Sequence, residues 1–472
     1  MQLTDHQKTE LAKATAGNIG LLTGNPGSGK STTIAAYIRS LLSSNGRGSI
    51  AVAAPTGKAA RRMTESLRGQ GIELNATTIH RLLAYTYVDG HGSFGFNRSN
   101  PLPHRHVFID EWSMGDVGLM SHLMAARKRD TQYIFIGDPN QLPPVGHGAP
   151  LRDMIAMRLP HGHLSEVHRN AGQIVRCCKS IVEKQRFVSS ESLSISTDCK
   201  QCRGRGYTSG IPDDESAEDC IACGGTGEVE SENLYVDSDW KKTSDQIQLI
   251  QDWLSPSSML FDCELESVDP IWDCQVIVPL NEKSEVARKP LNKLMQGWLN
   301  PDGEQAKGNP FRVGDKIVCS KNGWYLAAPD CPMDEQNDEG RVYCANGEQA
   351  RVIEISSTST IAELTLPERR VRVGKSKGDD GDESGRWELA YAISAHKSQG
   401  AEWKYVIVIG DESGASRWLC DRHWLLTAIS RGQRACVCIA KPNTLQDWCR
   451  KTHLMKRRTF AVEKYHELLV AK

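Results

Sequence analysis

The chain has 472 residues, enough for about three or four domains of ordinary size. Its 39% hydrophobic and 24% charged residues are typical of a soluble globular protein and argue against a disordered or fibrous one. The 57 Lys and Arg residues nearly cancel the 58 Asp and Glu residues, so any contact with nucleic acid has to come from local basic patches.

Two further features bear on location. No apolar run approaches the length of a membrane span, and the start MQLTDHQKTEL lacks the pattern of a secretion signal. The 15 cysteines are an odd number scattered over a large chain, which indicates reduced thiols rather than a disulfide framework. We therefore expect a cytoplasmic protein in a reducing compartment, with no membrane partner.

Seven short β-rich runs, each followed by a stretch of helical character, predict parallel sheets of the α/β class. The runs are Gly20–Thr23, Ile50–Ala54, Val107–Ile109, Tyr133–Ile136, Gln275–Val278, Tyr405–Ile409 and Cys436–Ile439. Four lie before residue 150 and three after residue 270, so we predict two sheet domains. The first covers 1–165, and the second combines 166–309 with 387–472.

Three segments interrupt this alternation. Residues 85–105 carry Gly, Asn and Pro without helical periodicity, which predicts a β-hairpin inserted into the first domain. Residues 190–233 are polar and bear cysteines, and form a second insertion. Residues 310–386 contain short alternating runs that predict a small β-barrel.

The strongest motif is GNPGSGKS, which matches the P-loop pattern between an apolar run and a helix-like run. Its glycines let backbone N–H groups close on phosphates, Lys30 can reach the β and γ oxygens, and the Ser31 hydroxyl can bind Mg²⁺. The predicted nucleotide cradle comprises Gly24, Asn25, Pro26, Gly27, Ser28, Gly29, Lys30, Ser31 and Thr32.

Further polar groups complete a site for nucleotide hydrolysis. Asp110 and Glu111 end an apolar run, which predicts a Mg²⁺ ligand and a group that orients and deprotonates water. Gln141 follows the next run, where its amide can sense the γ-phosphate. Arg169 and Arg431 are candidate arginine fingers, because a guanidinium brought across a cleft can stabilise a phosphoryl group in transfer.

The order of these motifs resembles that of the superfamily 1 DNA helicases, and within them the RecD-like and Dda-like branch, superfamily 1B. The matching stretches are LTDHQ, GNPGSGKST, AAPTGKAARRM, TTIHRLL, FIDEWSM, IGDPNQLPPV, EVHRN, AYAISAHKSQGAEW and LLTAISRG. They run through nearly the whole chain. Trp112 departs from the small residue that usually follows the acidic pair in this family.

The resemblance implies two RecA-like domains that bind ATP and Mg²⁺, with Gln7 as the residue that reads adenine. It also implies that 85–105 is the pin that splits duplex and that 310–386 is an SH3-like barrel. Several motif residues are implied to contact single-stranded DNA or to couple it to the nucleotide. These are Pro55, Thr56, Thr78, His80, Pro143, Pro144, His396 and Ser398.

Residues that could bind a single strand can also be sought without the resemblance, since such sites combine aromatic side chains with a positive groove. The aromatic candidates are Phe94, Phe96, Trp324, Tyr325 and Trp403, and the basic ones are Lys58, Arg61, Arg62, Lys321 and Lys397. Isolated aromatic residues more often belong to a hydrophobic core than to a binding surface. These residues therefore indicate nucleic-acid binding less specifically than the motifs above indicate nucleotide hydrolysis.

The 190–233 insertion carries a predicted zinc site. Cys199 and Cys202 are separated from Cys220 and Cys223 by 17 residues, a spacing typical of a structural four-thiolate site. Both pairs continue as C-x-G-x-G, and this pattern resembles half of the zinc region of DnaJ-type chaperones. We expect a Zn²⁺ that folds its own loop, and leave open whether the module binds DNA or a protein partner.

Together these features predict an ATP-dependent DNA helicase. The resemblance implies 5′ to 3′ movement on single-stranded DNA, with single-stranded and forked DNA as partners. Two alternatives stay open at this stage: an RNA helicase of the same superfamily, and an ATP-gated clamp on nucleic acid that does not move processively.

Overall fold

The computed structural model describes most of the chain. The described residues are 3–88, 91–166, 172–194, 207–209, 218–219, 232–260, 268–333, 336–337, 339–357, 359–365, 368–373, 387–457, 459, 461–463 and 465. Arg169 and the four cysteines of the predicted zinc site lie outside these ranges. Within the ranges, no helix combines the length and the apolar character needed to cross a bilayer.

The first sheet is built from strands before residue 165. The strands of this part are β1 (Ile19–Gly24), β2 (Ile50–Ala54), β3 (Thr77–Thr78), β4 (Tyr85–Val88), β5 (His91–Phe94), β6 (His106–Ile109), β7 (Gln132–Gly137) and β8 (His161–Leu164). Six of them form one parallel sheet in the order β3-β2-β6-β7-β1-β8. The four predicted runs coincide with β1, β2, β6 and β7, so this prediction is confirmed.

Helices cover both faces of this sheet. They are α1 (Asp5–Ala14), α2 (Lys30–Asn45), α3 (Gly57–Arg68), α4 (Ile79–Leu82), α5 (Val117–Ala125) and α6 (Pro150–Ala156), with 3₁₀ turns at Arg47–Ser49 and Trp112–Met114. Successive residues of β1 divide between two hydrophobic clusters, since Leu22 packs with α2 and α3 while Leu21 packs on the opposite face. Apolar strands buried on both faces are typical of parallel sheets.

The predicted hairpin is present as β4 and β5, which pair antiparallel with Tyr85 opposite Phe94. It is separate from the parallel sheet. Phe94 packs against the first domain, so the base of the hairpin is held by the domain that carries the P-loop.

The second sheet is built from strands that follow residue 233. The elements from 173 to 299 are α7 (Gln173–Lys184), β9 (Tyr207–Ser209), β10 (Glu218–Asp219), β11 (Leu234–Asp237), α8 (Thr243–Trp253), β12 (Cys274–Val278) and α9 (Arg288–Leu299). Those from 392 onward are β20 (Ala392–Ser394), α10 (Ala395–Ser398), β21 (Trp403–Ile409), α11 (Gly414–Leu419), α12 (Arg422–Ile429), β22 (Gly432–Ile439), α13 (Pro442–Arg450) and a 3₁₀ turn at Leu454–Lys456. Strands β11-β22-β21-β12-β20 form a parallel sheet in that order, which confirms the second predicted sheet.

An antiparallel β domain lies between α9 and β20. Its strands are β13 (Lys316–Cys319), β14 (Gly323–Leu326), β15 (Arg341–Cys344), β16 (Gln349–Ile355), β17 (Thr360–Thr365), β18 (Glu368–Val373) and β19 (Trp387–Leu389). Five pair in the order β18-β17-β16-β13-β19, and β14 with β15 forms a ribbon. Since β19 belongs to this sheet, the domain extends past the predicted end at residue 386.

A segment that follows α13 returns from the second domain to the first; we call residues 451–457 with Thr459 the strap. Arg152 of α6 donates hydrogen bonds to the Leu454 carbonyl at 2.8 Å and to the Arg457 carbonyl at 2.5 Å. Thr459 bonds to Asp153 of the same helix. On the second-domain side, the Asp421 carboxylate accepts a hydrogen bond from the backbone of the strap. The strap therefore joins the two sheet domains.

Candidate functional site

A cleft of 760 Å³ lies between the two sheet domains. One wall is formed by polar loops that follow β1, β6 and β7, at the carboxyl edge of the first sheet. The other wall is formed by residues 400–403, Arg431 and Gln433 of the second domain. Loops at the carboxyl ends of parallel strands are the usual place for a ligand site in this fold class.

The P-loop has the backbone that a phosphate cradle requires. Gly27 and Gly29 both have φ of +79°, in the left-handed region that favours glycine. A Cβ on Gly24 would come within 2.7 Å of the Leu164 carbonyl oxygen, so a larger residue does not fit there. The Ser28 hydroxyl is buried and makes no hydrogen bond within the described protein. Residues 26–32 line the cleft, and α2 begins among them at Lys30.

Lys30 lies on the inner side of this loop. Its Nζ atom donates hydrogen bonds to the carbonyl oxygens of Gly24, at 2.7 Å, and Asn25, at 3.1 Å. These contacts hold the ammonium at the centre of the loop, beside the N-terminus of α2, where two sources of positive potential favour an anion.

Asp110 and Glu111 line the same cleft directly after β6. Burial, followed by the neighbouring Glu111 carboxylate, raises the pKa of Asp110 to about 6. A bound cation would relieve this repulsion, so the pair fits a Mg²⁺ site shared with Ser31, which lines the same cleft. Glu111 has φ of +51°, a strained value that a residue other than glycine adopts where surrounding contacts hold it.

Trp112 supports the acidic pair from beneath. Its side chain is completely buried and packs on Phe135 of β7 with ring centroids 4.8 Å apart. A Cβ on Gly115 would collide with the Trp112 ring, so the two residues fit each other. The departure from the family pattern thus fills the core below the carboxylates and adds no group to the cleft.

Arg62 of α3 bridges the two walls of the cleft. Its guanidinium lies 3.9 Å from the Glu111 carboxylate and 2.5 Å from that of Glu402 in the second domain. Gln433 donates a hydrogen bond to Glu402 at 3.1 Å. Arg62 is predicted from the sequence to lie in a nucleic-acid groove, whereas in the structure it lies beside the acidic pair.

Gln141 of the first domain and Arg431 of the second both line the cleft. The Arg431 guanidinium is buried and donates to the carbonyl oxygens of Thr427, at 2.9 Å, and Ala401, at 3.2 Å. The Gln141 side chain is buried, and its amide oxygen makes no hydrogen bond within the described residues. Both side chains line the cleft, and their functions as finger and phosphate sensor stay predictions.

Gln7 does not line this cleft. It is the fourth residue of a capping box at the start of α1, where its side-chain oxygen accepts a hydrogen bond from the Thr4 backbone at 3.1 Å. Its adenine-reading function stays a prediction, as does the function of Arg169, which lies outside the described residues.

A second cavity, a channel of 880 Å³, runs between the same domains and brings together most of the residues predicted to bind DNA. Pro55, Thr56, His80, Pro144 and His396 all line it. The hairpin contributes Phe94, whose ring lies 4.1 Å from that of His122 and 6.0 Å from that of His80. Aromatic rings along a channel are typical of sites that stack bases.

Three of the predicted DNA residues do not line the channel. The Thr78 hydroxyl caps α4 by accepting a hydrogen bond from the Arg81 backbone at 3.2 Å. Ser398 is buried and donates to the Ala395 carbonyl at 2.8 Å. Pro143 lines a smaller neighbouring pocket. Their contact with DNA, or their coupling of DNA to the nucleotide, stays a prediction.

The other aromatic and basic candidates divide among three places. Lys58 and Lys397 line the channel, as predicted, whereas Arg61 and Trp403 line the nucleotide cleft. The assignment of Tyr325 to a DNA surface is wrong, because its side chain is buried in the core of the antiparallel domain. The rest lie elsewhere: Phe96 packs on the first-domain core, Trp324 is partly exposed on the β14–β15 ribbon, and Lys321 is an exposed residue of the antiparallel domain.

Several residues at these two sites were missed by sequence reasoning. Glu402 lies within the matched stretch KSQGAEW, so its motif offered a signal that was not used. Arg457 lines the channel and donates to the carbonyl oxygens of Pro144, at 2.5 Å, and Gly146, at 2.9 Å. No motif surrounds Arg457 in the sequence. It reaches the channel only because the strap folds back onto the first domain. In the part of the chain that the structure describes, no cluster of three His, Cys, Asp or Glu side chains could hold a metal ion.

Two family models match the chain. A model described as an AAA domain matches residues 7–147, and one described as a UvrD-like helicase C-terminal domain matches residues 389–439. The first match contains the P-loop, the acidic pair and Gln141, and the second contains Arg431. Each wall of the nucleotide cleft thus falls within a matched segment.

Relatives with similar sequences cover most of this chain. The ATP-dependent RecD2 DNA helicase of Deinococcus radiodurans is 26% identical over 435 residues, which are 91% of this chain and 48% of that protein. The RecBCD enzyme subunit RecD of Haemophilus influenzae is 24% identical over 442 residues, or 86% of this chain and 64% of that one. The chain is thus similar to RecD-type helicases over most of its length.

The chain spans about half the length of the Deinococcus relative. A shorter and more similar match is the RecD subunit of Mycolicibacterium smegmatis, 36% identical over 167 residues, which are 32% of this chain and 30% of that subunit. A solved structure of a Pif1 helicase from Bacteroides, in complex with ADP-AlF3 and ssDNA, is 15% identical to this chain. It covers 100% of this chain, and this chain covers 98% of it, with a TM-score of 0.47.

Proposed function

We propose that this protein is an ATP-dependent DNA helicase that moves 5′ to 3′ on single-stranded DNA and separates duplex. The observation that carries the proposal is the junction of two cavities between the same pair of sheet domains. One holds a P-loop, an acidic pair and an arginine from the opposite wall, and the other is a channel with aromatic and basic lining. A motor that couples nucleotide turnover to movement needs both.

Each group in the cleft has a separate function in ATP hydrolysis. Residues 24–32 bind the phosphates of ATP through backbone N–H groups and Lys30. When bound, Mg²⁺ held by Ser31 and Asp110 would neutralise charge on the β and γ oxygens. Glu111 orients the attacking water and accepts its proton, while Arg431 stabilises charge on the transferring group.

Hydrogen bonds between the domains connect this chemistry to the channel. The Leu142 backbone, next to Gln141, receives a hydrogen bond from Gln399 at 3.0 Å and donates one to Thr427 at 2.9 Å. Gln399 lines the channel, and Arg431 hydrogen-bonds to the Thr427 carbonyl. A shift of Gln141 on loss of the γ-phosphate therefore reaches both the finger and the DNA side.

The choice of DNA and the direction of movement rest on relatives. The Deinococcus relative is named a DNA helicase, and the 5′ to 3′ direction follows from the resemblance to superfamily 1B. In this proposal the β4–β5 hairpin is the pin that parts a fork, the antiparallel domain is the SH3-like barrel, and Gln7 and Arg169 complete the nucleotide site. Single-stranded and forked DNA are the partners.

The proposal includes Zn²⁺ bound by Cys199, Cys202, Cys220 and Cys223 in the 190–233 insertion. The spacing of these cysteines and their glycine-rich continuations support it. Four thiolates close a tetrahedral shell, so the metal would hold its loop together and take no part in turnover. The module is then available to contact DNA or a protein partner.

The test is strand displacement on duplexes with either a 5′ or a 3′ single-stranded tail, with and without ATP. We expect ATP-dependent displacement on the 5′-tailed duplex. Displacement only of RNA duplexes would support the RNA helicase alternative. ATPase stimulated by single strands without displacement of any duplex would support the clamp and contradict the helicase.

A further inference from the structure

Lys58 is the one described residue that lines both the nucleotide cleft and the channel. It is the second residue of α3, and it follows Pro55 and Thr56, which lie on the channel surface. Its position at the wall between the two cavities is therefore fixed by a helix of the first domain. A side chain in this place can respond to either ligand.

The Lys58 ammonium has an aromatic partner and no acidic one. Its Nζ atom lies 4.4 Å from the centre of the Trp403 ring, which belongs to the second domain. None of the ion pairs among the described residues involves Lys58, and the neighbouring Glu348 is already paired with Arg369 at 2.8 Å. A cation–π contact of this kind is weaker than an ion pair with a phosphate.

The charges around Lys58 favour an anion over the Trp403 ring as its partner. Burial, and then the cations Lys316, Arg61 and Arg431, hold the pKa of Lys58 well below its ordinary value. Lys316 faces the same Trp403 ring from 5.8 Å, and its ammonium is occupied by the carbonyl oxygens of Ile271 and Cys274. A phosphate next to Lys58 would offset this repulsion.

Trp403 is connected directly to the proposed finger. Its backbone N–H donates a hydrogen bond to the Arg431 carbonyl at 3.0 Å. The Arg431 side chain donates to Ala401, two residues before Trp403. A movement of Arg431 toward a γ-phosphate would therefore displace the Trp403 ring from Lys58.

We propose that Lys58 is a relay cation, which leaves the face of Trp403 for a phosphate of single-stranded DNA when a nucleoside triphosphate draws Arg431 into the cleft. The inference rests on the proposed function, since it needs both ligands. It identifies Lys58 as a positioning residue that makes grip on DNA depend on the state of the nucleotide.

The salt dependence of binding reports the number of phosphate contacts. For single strands, each contact contributes about 0.7 to the slope of log affinity against log salt concentration. Binding of a fluorescent oligo(dT) would be measured over a salt series, with ADP and with the analogue AMP-PNP. We expect Lys58→Met to lower the slope by about 0.7 with AMP-PNP and to leave it unchanged with ADP.

Three variants separate a relay from a merely structural residue. Lys58→Arg keeps a cation and should restore the wild-type slope in both states. Trp403→Leu removes the ring face, so the Lys58 contact should be present with ADP as well, while Trp403→Phe should keep the difference between nucleotides. Lys397→Met is the matched control, because Lys397 lines only the channel and any change it causes should be equal in both states.

The relay would be overturned if Lys58→Met lowers the salt slope equally with ADP and AMP-PNP, or more with ADP. It would also be overturned if the slope does not change with either nucleotide. Failure of the proposed function looks different. If the channel does not bind single-stranded DNA, neither the wild-type protein nor any Lys58 variant would show salt-dependent binding of oligo(dT), and a clamp would bind it without displacing duplex.

Discussion

In the proposed mechanism, turnover depends on the acidic pair, and its surroundings suit that function. Glu111 is held in a strained backbone conformation, and Arg62 lies 3.9 Å from its carboxylate. The Glu111 side chain lines the cleft, where the Arg62 guanidinium pairs with its carboxylate. A carboxylate held in this way is ready to accept a proton from water.

Glu111→Gln tests this assignment. We expect ATP binding to persist, because Lys30 and Asp110 are untouched, and kcat to fall about 10² to 10⁴-fold with loss of the general base. Steady-state ATPase and binding of a fluorescent nucleotide measure the two effects. Glu183→Gln, on the exposed side of α7, is the control, and a Glu111 variant with turnover within about three-fold of wild type would contradict the assignment.

Asp110 makes stability depend on pH. Its pKa is raised to about 6 in the folded protein, from 3.8, so the folded state holds a proton that the unfolded state loses. The free energy of unfolding therefore falls as pH rises from about 4 to about 6. In EDTA at pH 7, Asp110→Asn should be more stable by about 1 to 2 kcal/mol, since water still screens part of the carboxylate.

Thermal unfolding across this range measures the effect, which should vanish below about pH 4. Asp245→Asn gives a comparison of opposite sign. Hydrogen bonds from the backbone of Lys242 and Lys241 lower the pKa of Asp245, so its loss should destabilise the protein at neutral pH. Equal responses of the two variants would contradict the assigned cause.

At this scale, the sequence predicts residues whose chemistry is carried by a local motif. Lys30, Asp110 and Gln141 were predicted in this way, because strand and loop lengths alone bring them to one sheet edge. The functions of Thr78 and Ser398 stay predictions, and each hydroxyl has a local hydrogen bond that competes with any ligand.

Among the elements, the β4–β5 hairpin offers the clearest separation of functions. Its base contacts the channel through Phe94, while its outer part lies outside every nucleotide motif. Replacing residues 87–92 with Asn-Gly joins Thr86 to Ser93, which already pair, and so preserves the register.

We expect this shortened hairpin to lose strand displacement and to keep ATPase stimulated by single strands, because the channel lining is intact. The two activities are measured side by side on the same preparation. Phe94→Ala is the complementary variant and should weaken binding of single strands instead. If displacement survives shortening, or if it falls together with ATPase, the hairpin is not a wedge.

The zinc insertion makes a prediction of its own. The purified protein should contain one Zn²⁺, which Cys199→Ser combined with Cys202→Ser removes, because two thiolates cannot hold a structural ion. Elemental analysis measures the metal, and basal ATPase should be unchanged. Wild-type protein without zinc, prepared with the metal supplied, would refute the site, whereas global unfolding of the variant would show that the insertion belongs to the second core.

Element prediction succeeded where burial leaves a clear trace in the sequence. Continuous apolar runs gave the central strands of both sheets. The short strands were missed: β8, for example, reads HGHL and is buried on alternate residues, so it has neither the length nor the composition of a central strand. The long connections between strands of one sheet also concealed that β11, at 234–237, pairs with β22.

For the molecule as a whole, the strap is the feature that the sequence least predicts. Arg457 holds the loop at 143–148 by donating to three of its carbonyl oxygens. Arg457→Ala should accelerate hydrogen exchange of residues 145–148 about ten-fold or more, since hydrogen bonds from a charged group contribute about 1.5 to 3 kcal/mol each.

Hydrogen exchange followed by mass spectrometry measures this change. Arg450→Ala, on the exposed end of α13, is the control and should leave the loop unchanged. Unaltered exchange in the Arg457 variant would show that the loop is held by its other contacts, such as the hydrogen bond between the His147 carbonyl and the backbone of Val117.

The strap also bears on how far apart the two walls of the cleft can move. Two domains joined by a single flexible linker would search a large volume before the finger met the P-loop again. A second attachment at α6 shrinks that volume, so Arg431 stays at a high effective concentration near the P-loop. In the proposed cycle, the two walls of the cleft then separate and come together again over a short distance. A chain cut before residue 451 would keep every motif quoted above and lose this restriction on domain movement.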